Sequence, residues 1–391
     1  MRTAVRDIVI LGSTGSIGRQ ALDVVDRHPD RFRVCGLTAH SNDALFIEQV
    51  RKYRPLFAGL TGKSISPPGD LRFCQWHFGP EALEMAAGQV PCDDVLVAVV
   101  GMIGLKSVLA ARKAGRRVLL ANKEALVAGG QLVKDLCPDD AKNPVLIPVD
   151  SEHSAIYQCL LGALGNPFSR LILTASGGPF RTWPKERIFS ATLEEALSHP
   201  TWRMGEKITI DSATLFNKAL EVIEAKWLFG ANAQQIQVLI HPQSIVHSMV
   251  EFEDGAILAQ MGLPDMRIPI AFAMAYPDRI HTGTRPTQAH DLTALQFEEP
   301  DFDRFPALRL AYEALEAGGA DCCILNAANE VAVNGYLHHA IRFGQIPQVV
   351  EETLAALGPL PANSLEAVLD ADRQARKMSG TIIKHISKGD V

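Results

Sequence analysis

Between Arg6 and about Val149, short apolar runs alternate with stretches of helical periodicity. "DIVILG" leads into a helix through "ALDVVDRH". "FRVCGLTA", "PLFAGL", "DDVLVAVVG", "RRVLLAN" and "PVLIPV" follow, separated by helix-like segments and by one surface turn, "SISPPGD" at 64–70. Strands alternating with helices predict βαβ units and a parallel sheet. After Asp150 the alternation stops. "RLILTASGGPF" and "QVLIHPQSIVHSMVEF" with "GAILAQMG" predict strands, the second group as an antiparallel set, with helices between them. From about Asp301 the chain turns helical, in "FPALRLAYEALEAGG", "CCILNAANEVAVNGYL" and "PQVVEETLAALG". The expected architecture is α/β. A Rossmann-like domain spans 1–149, an α+β domain 150–280, a Pro- and Gly-containing linker 281–300, and a helical domain 301–391.

The first strand ends in "ILGSTGSIG", which sets Gly12, Gly15 and Gly18 at a strand-to-helix turn. Absent side chains let backbone approach a pyrophosphate, and the following helix offers unpaired N–H groups. Thr14 and Ser16 add hydroxyl donors. An NAD site usually has an acid at the end of the second strand, to hold the ribose hydroxyls. Here that strand ends "GLTAHSN", with no carboxylate before Asp43. A 2′-phosphate is tolerated by His40, Ser41 and Asn42, so the 1–149 domain is expected to bind NADP.

The central segment carries the chemistry. In "VDSEHSAI", Asp150 and Glu152 follow a buried run, and an extended chain points residues i and i+2 to one side. Two carboxylates held together repel unless a proton or cation lies between them. A third acid is expected from "DSATLFNKALEVIEAKWLFG" (211–230), with Asp211 and Ser212 as N-cap candidates and Gly230 as the stop. On that helix Thr214, Asn217, Lys218, Glu221 and Glu224 share one polar arc of about 120°. The competing reading is a solvated face with a Lys–Glu pair of a few tenths of a kcal/mol. Against it stand "TASGGPF", with Ser176 beside two glycines, and "HPTWRMGEK" (199–207), which has the composition of a loop that folds over a ligand. Together these predict three metal ligands, Asp150, Glu152 and Glu221, and an anion pocket of Ser176, His199, Ser212, Asn217 and Lys218. All-oxygen ligation suits Mg2+ or Mn2+. Asp265 is a second choice of carboxylate; His241 and His247 read as structural.

Composition narrows the partners. The 391 residues exceed one small core, and 47% hydrophobic with 21% charged residues is an ordinary globular balance. A net charge of −6 speaks against sequence-independent nucleic-acid binding. The seven cysteines show no C-x-x-C or zinc spacing and fit reduced thiols, with Cys322 and Cys323 as packing residues. Apolar runs such as "VLVAVV" (95–100) are too short for a membrane span, and few residues precede the first strand. A cytoplasmic protein with no nucleic-acid or membrane partner is expected.

Taken together, "GSTGSIG", "ANKEALV", "PVDSEHSAI", "ASGGPF", "ITIDSATLFNKALEVIEA", "HPQSIVHSM", "LPDMRIPI" and "NAANEVAV" resemble the 1-deoxy-D-xylulose 5-phosphate reductoisomerase family over nearly the whole length. The resemblance implies an NADPH- and metal-dependent enzyme, a homodimer, that converts 1-deoxy-D-xylulose 5-phosphate to 2-C-methyl-D-erythritol 4-phosphate in isoprenoid biosynthesis. By matching position it implies that Thr14, Gly15, Ser16, Ile17, Asn42, Asn122, Glu124 and Gly205 lie at the cofactor. It implies substrate contacts from Lys123, Ser151, Glu152, Ser176, His199, Trp202, Ser212, Asn217, Lys218 and Glu221, with Trp202 on a lid. Lys123, Glu152 and bound water are alternatives for proton transfer. One position departs: many members have Gly-Lys-Asn where this chain has His40-Ser41-Asn42, which leaves room for residual NADH use. Two other readings compete, a metal-independent NADP-linked dehydrogenase of the homoserine or semialdehyde type and a non-catalytic NADPH-binding protein. Neither accounts for the three acids and the polar clusters at once.

Overall fold

The structure, a computed structural model, describes residues 5–138, 143–202 and 204–389. The chain opens with β1 (Arg6–Leu11), α1 (Ser16–Arg27), β2 (Phe32–Ala39), α2 (Asp43–Tyr53), β3 (Phe57–Leu60), β4 (Gln75–Phe78) and α3 (Glu81–Gln89). It continues with β5 (Asp94–Val97), α4 (Ile103–Lys113), β6 (Arg117–Leu120), α5 (Lys123–Asp135), β7 (Leu146–Pro148) and α6 (Ser151–Gly162). Then come β8 (Phe168–Ala175), α7 (Lys185–Phe189), α8 (Leu193–Leu197), α9 (Glu206–Ala213), α10 (Phe216–Phe229), β9 (Ile236–Ile240), β10 (Val246–Phe252) and β11 (Ile257–Met261). Helices α11 (Arg267–Ala275), α12 (Ala307–Ala317), α13 (Asp321–Leu337), α14 (Gln345–Leu357) and α15 (Leu365–Gly389) complete it. No described helix is long and apolar enough to cross a membrane.

Two compact units form, each from discontinuous chain. The first comprises Met1–Ala125, Val133–Tyr157 and Asp265–Arg285; the second comprises Leu126–Leu132, Gln158–Pro264 and Pro286–Val391. This differs from the consecutive segments 1–149, 150–280, 281–300 and 301–391. The reason is apolar packing: Ile270–Tyr276 of α11 and the turn after it lie in one buried cluster with Ile8, Ile10, Ala21 and Val25. Likewise Gly130, in α5, lies under the Trp227 ring of α10, where a Cβ would come within 2.2 Å of the indole, so residues 126–132 join the second unit.

The first unit is built on a seven-stranded sheet in the order β4-β3-β2-β1-β5-β6-β7, every pair parallel. Strand order reverses at β1, so its carboxyl end is the crevice where an open α/β sheet binds ligands. The last four residues of β1, Ile8–Leu11, are apolar and fully buried, as a central parallel strand requires. Helix α1 buries Gly18, Ala21, Leu22, Val24 and Val25, one stripe at helical spacing.

The second unit has a four-stranded sheet, β11-β10-β8-β9. Here the expected antiparallel set holds only in part. Strand β10 pairs antiparallel with β8 and β11, whereas β9 runs parallel to β8 and does not pair with β10. The turn "HPQS" therefore cannot close a hairpin; it carries the chain across β8. His241 organises that crossing. Its Nε2 accepts the N–H groups of Ile245 (3.1 Å) and Val246 (3.2 Å), so Nδ1 carries the proton and donates to the Gln296 carbonyl at 2.8 Å. Helices α12–α15 form the C-terminal part of this unit, with α13 packed on α14 and α15.

Candidate active site

Everything predicted for the first unit lies along the carboxyl edge of its sheet. At β1, Gly12 has φ +87°, and a Cβ there would come within 2.6 Å of the Ala98 carbonyl oxygen. A Cβ on Gly18 would meet the Gly12 oxygen at 2.3 Å. These two glycines let the turn fold back on itself. Ser13 is buried and locked to Gln49 through two bonds, Oγ to Oε1 at 2.7 Å and Nε2 to the Ser13 carbonyl at 3.0 Å. Thr14 and Ile17 are half-buried, and Gly15 and Ser16 are exposed. The N-cap, Gly15, has no side chain to satisfy the first turn of α1, so those N–H groups remain available for an anion. This cradle fits a dinucleotide pyrophosphate. At β2, Asn42 caps α2 by accepting the Leu45 N–H.

At β6 the chain turns into α5 through Asn122, Lys123 and Glu124. The Asn122 side chain is spent inside the protein. Its Oδ1 caps α5 at Ala125, while Nδ2 donates to the carbonyls of Val99 (3.0 Å) and Gly101 (3.1 Å) and to Glu124 Oε2 (2.7 Å). Asn122 and Glu124 thus brace the 99–101 loop at the end of β5. Lys123, almost fully buried, donates from Nζ to Asp150 Oδ2 at the end of neighbouring β7.

Asp150 and Glu152 converge, though by a different route from the extended chain expected. Strand β7 ends at Pro148 and α6 begins at Ser151, so the pair straddles a helix start. Asp150 Oδ1 accepts the Glu152 N–H at 3.2 Å, and the Asp150 carbonyl accepts from Ser154 N–H at 2.9 Å. Cap geometry turns the Asp150 side chain over the first turn, leaving carboxylate oxygens of the two acids within 4.8 Å. Ser151 donates from Oγ to Glu152 Oε2, and His153 Nδ1 lies 3.5 Å from Asp150 Oδ1. Two oxygen donors beside an ammonium form one side of a hard-cation site. Asp265 is not spare: it accepts from the Arg267 backbone at 2.9 Å and from its guanidinium at 2.7 Å.

In the second unit the anion pocket gathers at the end of β8. Gly177 and Gly178 have φ of +84° and +65°, and a Cβ on Gly178 would meet the Ser212 carbonyl at 2.8 Å. That close approach puts Ser176 beside α9. His199 joins them, with Nε2 3.1 Å from both Ser176 Oγ and Ser212 Oγ. Its Nδ1 accepts two backbone N–H groups, Thr201 at 3.1 Å and Trp202 at 2.9 Å. A nitrogen that accepts twice carries no proton, so the neutral ring has its proton on Nε2. Burial lowers the His199 pKa to about 4. Trp202 is half-buried, its ring centroid 6.5 Å from that of His247. Gly205 is the exposed N-cap of α9; Arg203, in the same loop, lies outside the described residues.

The helix predicted from Asp211 onward is in fact two. Asp211 and Ser212 are in the last turn of α9, not N-caps, and Leu215, with φ +62°, breaks the chain before α10. Thr214 makes the break by returning its hydroxyl to the Ile210 carbonyl at 2.9 Å. The polar arc is real but not solvated. Thr214 is 5% exposed, Lys218 3%, Glu221 0% and Glu224 3%. Glu221 accepts from Lys218 Nζ and, at 2.6 Å, from Asn217 Nδ2. Buried charges are retained only when paired or ligated. Asn217 Oδ1 is buried with no partner among the described residues. One contact had no place in the sequence reading: Asp211, 1% exposed, accepts from Asn329 of α13 at 2.8 Å and pairs with Lys207 at 2.7 Å. Its available signal was Asn326 and Asn329, which with Glu330 interrupt the apolar run "NAANEVAV".

Comparison with known proteins bears on both halves. Residues 8–130 match the model for 1-deoxy-D-xylulose 5-phosphate reductoisomerase; residues 146–229 and 261–378 match models for C-terminal domains of DXP reductoisomerase. The 1-deoxy-D-xylulose 5-phosphate reductoisomerase of Ralstonia nicotianae is 48% identical over 95% of this chain and 96% of its own. That of Pelotomaculum thermopropionicum is 48% identical over 97% and 99%. Among solved structures, the Zymomonas mobilis enzyme in complex with NADPH superposes with a TM-score of 0.88 at 40% identity, over 97% of this chain and 99% of that one. A DOX-P reductoisomerase in complex with NADPH, fosmidomycin and magnesium has a TM-score of 0.88 at 38% identity, covering 97% and 98%. A glycine cradle at the switch point, paired acids beside a lysine, a serine–histidine pocket and similarity along the whole length lead to one conclusion: this chain belongs to the 1-deoxy-D-xylulose 5-phosphate reductoisomerase family.

Proposed function

We propose that this protein is an NADPH- and divalent-metal-dependent reductoisomerase that converts 1-deoxy-D-xylulose 5-phosphate to 2-C-methyl-D-erythritol 4-phosphate in isoprenoid precursor biosynthesis. The observation that carries it is the 40% identity, over 97% of the chain, to a reductoisomerase solved with NADPH. When bound, NADPH supplies a hydride and Mg2+ or Mn2+ supplies positive charge for vicinal substrate oxygens.

The chain's own residues supply the rest. Thr14, Gly15, Ser16 and Ile17 hold the pyrophosphate, and Asn42 lies by the adenosine ribose. Asn122 and Glu124 act through the 99–101 loop they brace, and Gly205 contributes bare backbone. Asp150, Glu152 and Glu221 are the metal ligands, and the donor set fits: all oxygen, each acid partnered by a hydroxyl, amide or ammonium group. Ser176, His199, Ser212, Asn217 and Lys218 take the phosphate, with Nε2–H of His199 a neutral donor. Gripping a remote phosphate holds the reacting carbons in place. Ser151 and Trp202 contact the sugar, with Trp202 closing over it to exclude water. Lys123 and Glu152 are the side chains placed to move a proton.

A second copy of the chain is the partner these features favour. Strand β11 is the edge of its sheet, and Ile257, Leu258 and Met261 are 51%, 41% and 38% exposed. An unpaired apolar edge is a template for another strand. Leu258→Lys should therefore shift sedimentation from dimer to monomer. All seven cysteines are free thiols, which supports work in the cytoplasm.

Loss of NADPH absorbance on adding the deoxyxylulose phosphate, present with Mg2+ or Mn2+ and abolished by EDTA, tests the activity. EDTA-insensitive oxidation of NADPH with homoserine or a semialdehyde would replace it.

A further inference from the structure

We propose that His40 reads the 2′-phosphate of the cofactor, and does so as the imidazolium, so that preference for NADPH over NADH strengthens as pH falls. The inference rests on the NADPH reading above. Strand β2 ends at Ala39 beside β1, and the residues beyond that end face the adenosine ribose when the pyrophosphate sits at the start of α1. No carboxylate intervenes between Ala39 and Asp43.

The charged groups on the flanking segments are Asp43 and Lys63, and they neutralise each other at 2.8 Å. The hydrogen bond from Lys63 holds the Asp43 carboxyl below its usual pKa. His40, directly after β2, is exposed.

Its ring is fixed rather than free. Residues 61 and 62 are zipped to the end of β2, Thr61 N–H to the Ala39 carbonyl and Gly62 N–H to the His40 carbonyl, each at 3.0 Å. The imidazole lies over Gly62, where a Cβ would come within 2.4 Å of Cε1 and 2.7 Å of both nitrogens. Nδ1 is 2.9 Å from Thr61 Oγ1. Thr61 Oγ1 lies 3.5 Å from the Ala39 carbonyl, and in the tautomer protonated on Nδ1 its oxygen accepts from Nδ1–H. With Nδ1 against Thr61, Nε2 is the ring nitrogen left for a 2′-phosphate. In the neutral ring it is a lone pair and repels a phosphate oxygen; protonated, it donates a charge-assisted hydrogen bond. Above about pH 7, where the 2′-phosphate (second pKa about 6) is already a dianion, its binding therefore takes up a proton, whereas binding of NAD does not.

Calorimetry of NADP+ and NAD+ binding to the full-length protein, in two buffers of different ionisation enthalpy, measures that proton directly. The expected result, above the phosphate's own titration, is proton uptake with NADP+ only, and a preference for NADP+ that weakens about tenfold from about pH 7 to about pH 8.5. His40→Gln should abolish the pH dependence, and His40→Lys should keep the preference without it. NADP+ binding with no proton uptake, or a pH dependence unchanged in His40→Gln, overturns the role of His40. Failure of both nucleotides to bind overturns the NADPH reading instead.

Discussion

The Trp202 backbone N–H donates to His199 Nδ1 at 2.9 Å, tying the loop that carries the indole to the ring that faces Ser176 and Ser212. One imidazole thus holds both the Trp202 loop and the Ser176–Ser212 pair, and it does so in the neutral form.

The neutral form sets a pH signature. Burial lowers the His199 pKa from 6.5 to about 4, so between those values the unfolded chain binds more protons than the folded one. Its contribution to stability is full above about pH 6.5, declines as pH falls, and levels off below about pH 4. Thermal unfolding across that window should show a smaller decline in His199→Asn than in the parent. In the same variant KM for the sugar phosphate should rise about tenfold, the scale of one lost hydrogen bond to a charged group.

Glu221 is fully buried and paired with Lys218 and Asn217. Glu221→Gln keeps the shape and removes the charge. Turnover at saturating Mg2+ should fall roughly a hundredfold, and the metal concentration for half-maximal rate should rise. Full activity with an unchanged metal requirement would take Glu221 out of the site.

Gly18→Ala places a methyl 2.3 Å from the Gly12 oxygen and 2.6 Å from the Ser13 Cα. Backbone must move, at a cost of about 1–3 kcal/mol. NADPH affinity, read by fluorescence titration, should weaken about tenfold or more, with a lower melting temperature. Gly69→Ala is the control: nothing lies within 4 Å of its added Cβ, and both measurements should stay at the parent value.

Asn329→Ala removes the α13 donor to the buried Asp211 carboxylate. Leaving that acceptor short should cost about 1–3 kcal/mol in denaturant unfolding. Because Ser212 is the next residue, KM for the phosphorylated substrate should rise with little change in cofactor affinity. A stability loss with unchanged KM would make the contact purely a packing one.

The parallel sheet, the glycine turn and the closeness of Asp150 to Glu152 were legible in the sequence because each is local. Apolar runs of strand length separated by helical periodicity admit few topologies, and a G-x-x-G-x-x-G turn acts through the backbone of seven consecutive residues. The absence of an acid after β2 is equally local. What stayed hidden depended on contacts between segments distant in the chain. Whether the arc Thr214–Glu224 met solvent or interior could not be read from α10 alone, since a polar stripe suits either; packing within its unit decided for burial. The break at Leu215 and the cap geometry of Asp150 arose from hydroxyl and carboxylate side chains returning to backbone, which competes with helix and strand at little energetic difference. Strand β9 joined β8 in parallel, and α11 joined the first sheet, because burying apolar surface rewards whichever partner is near in space. Periodicity records which face of an element is buried; only the folded chain supplies what it is buried against.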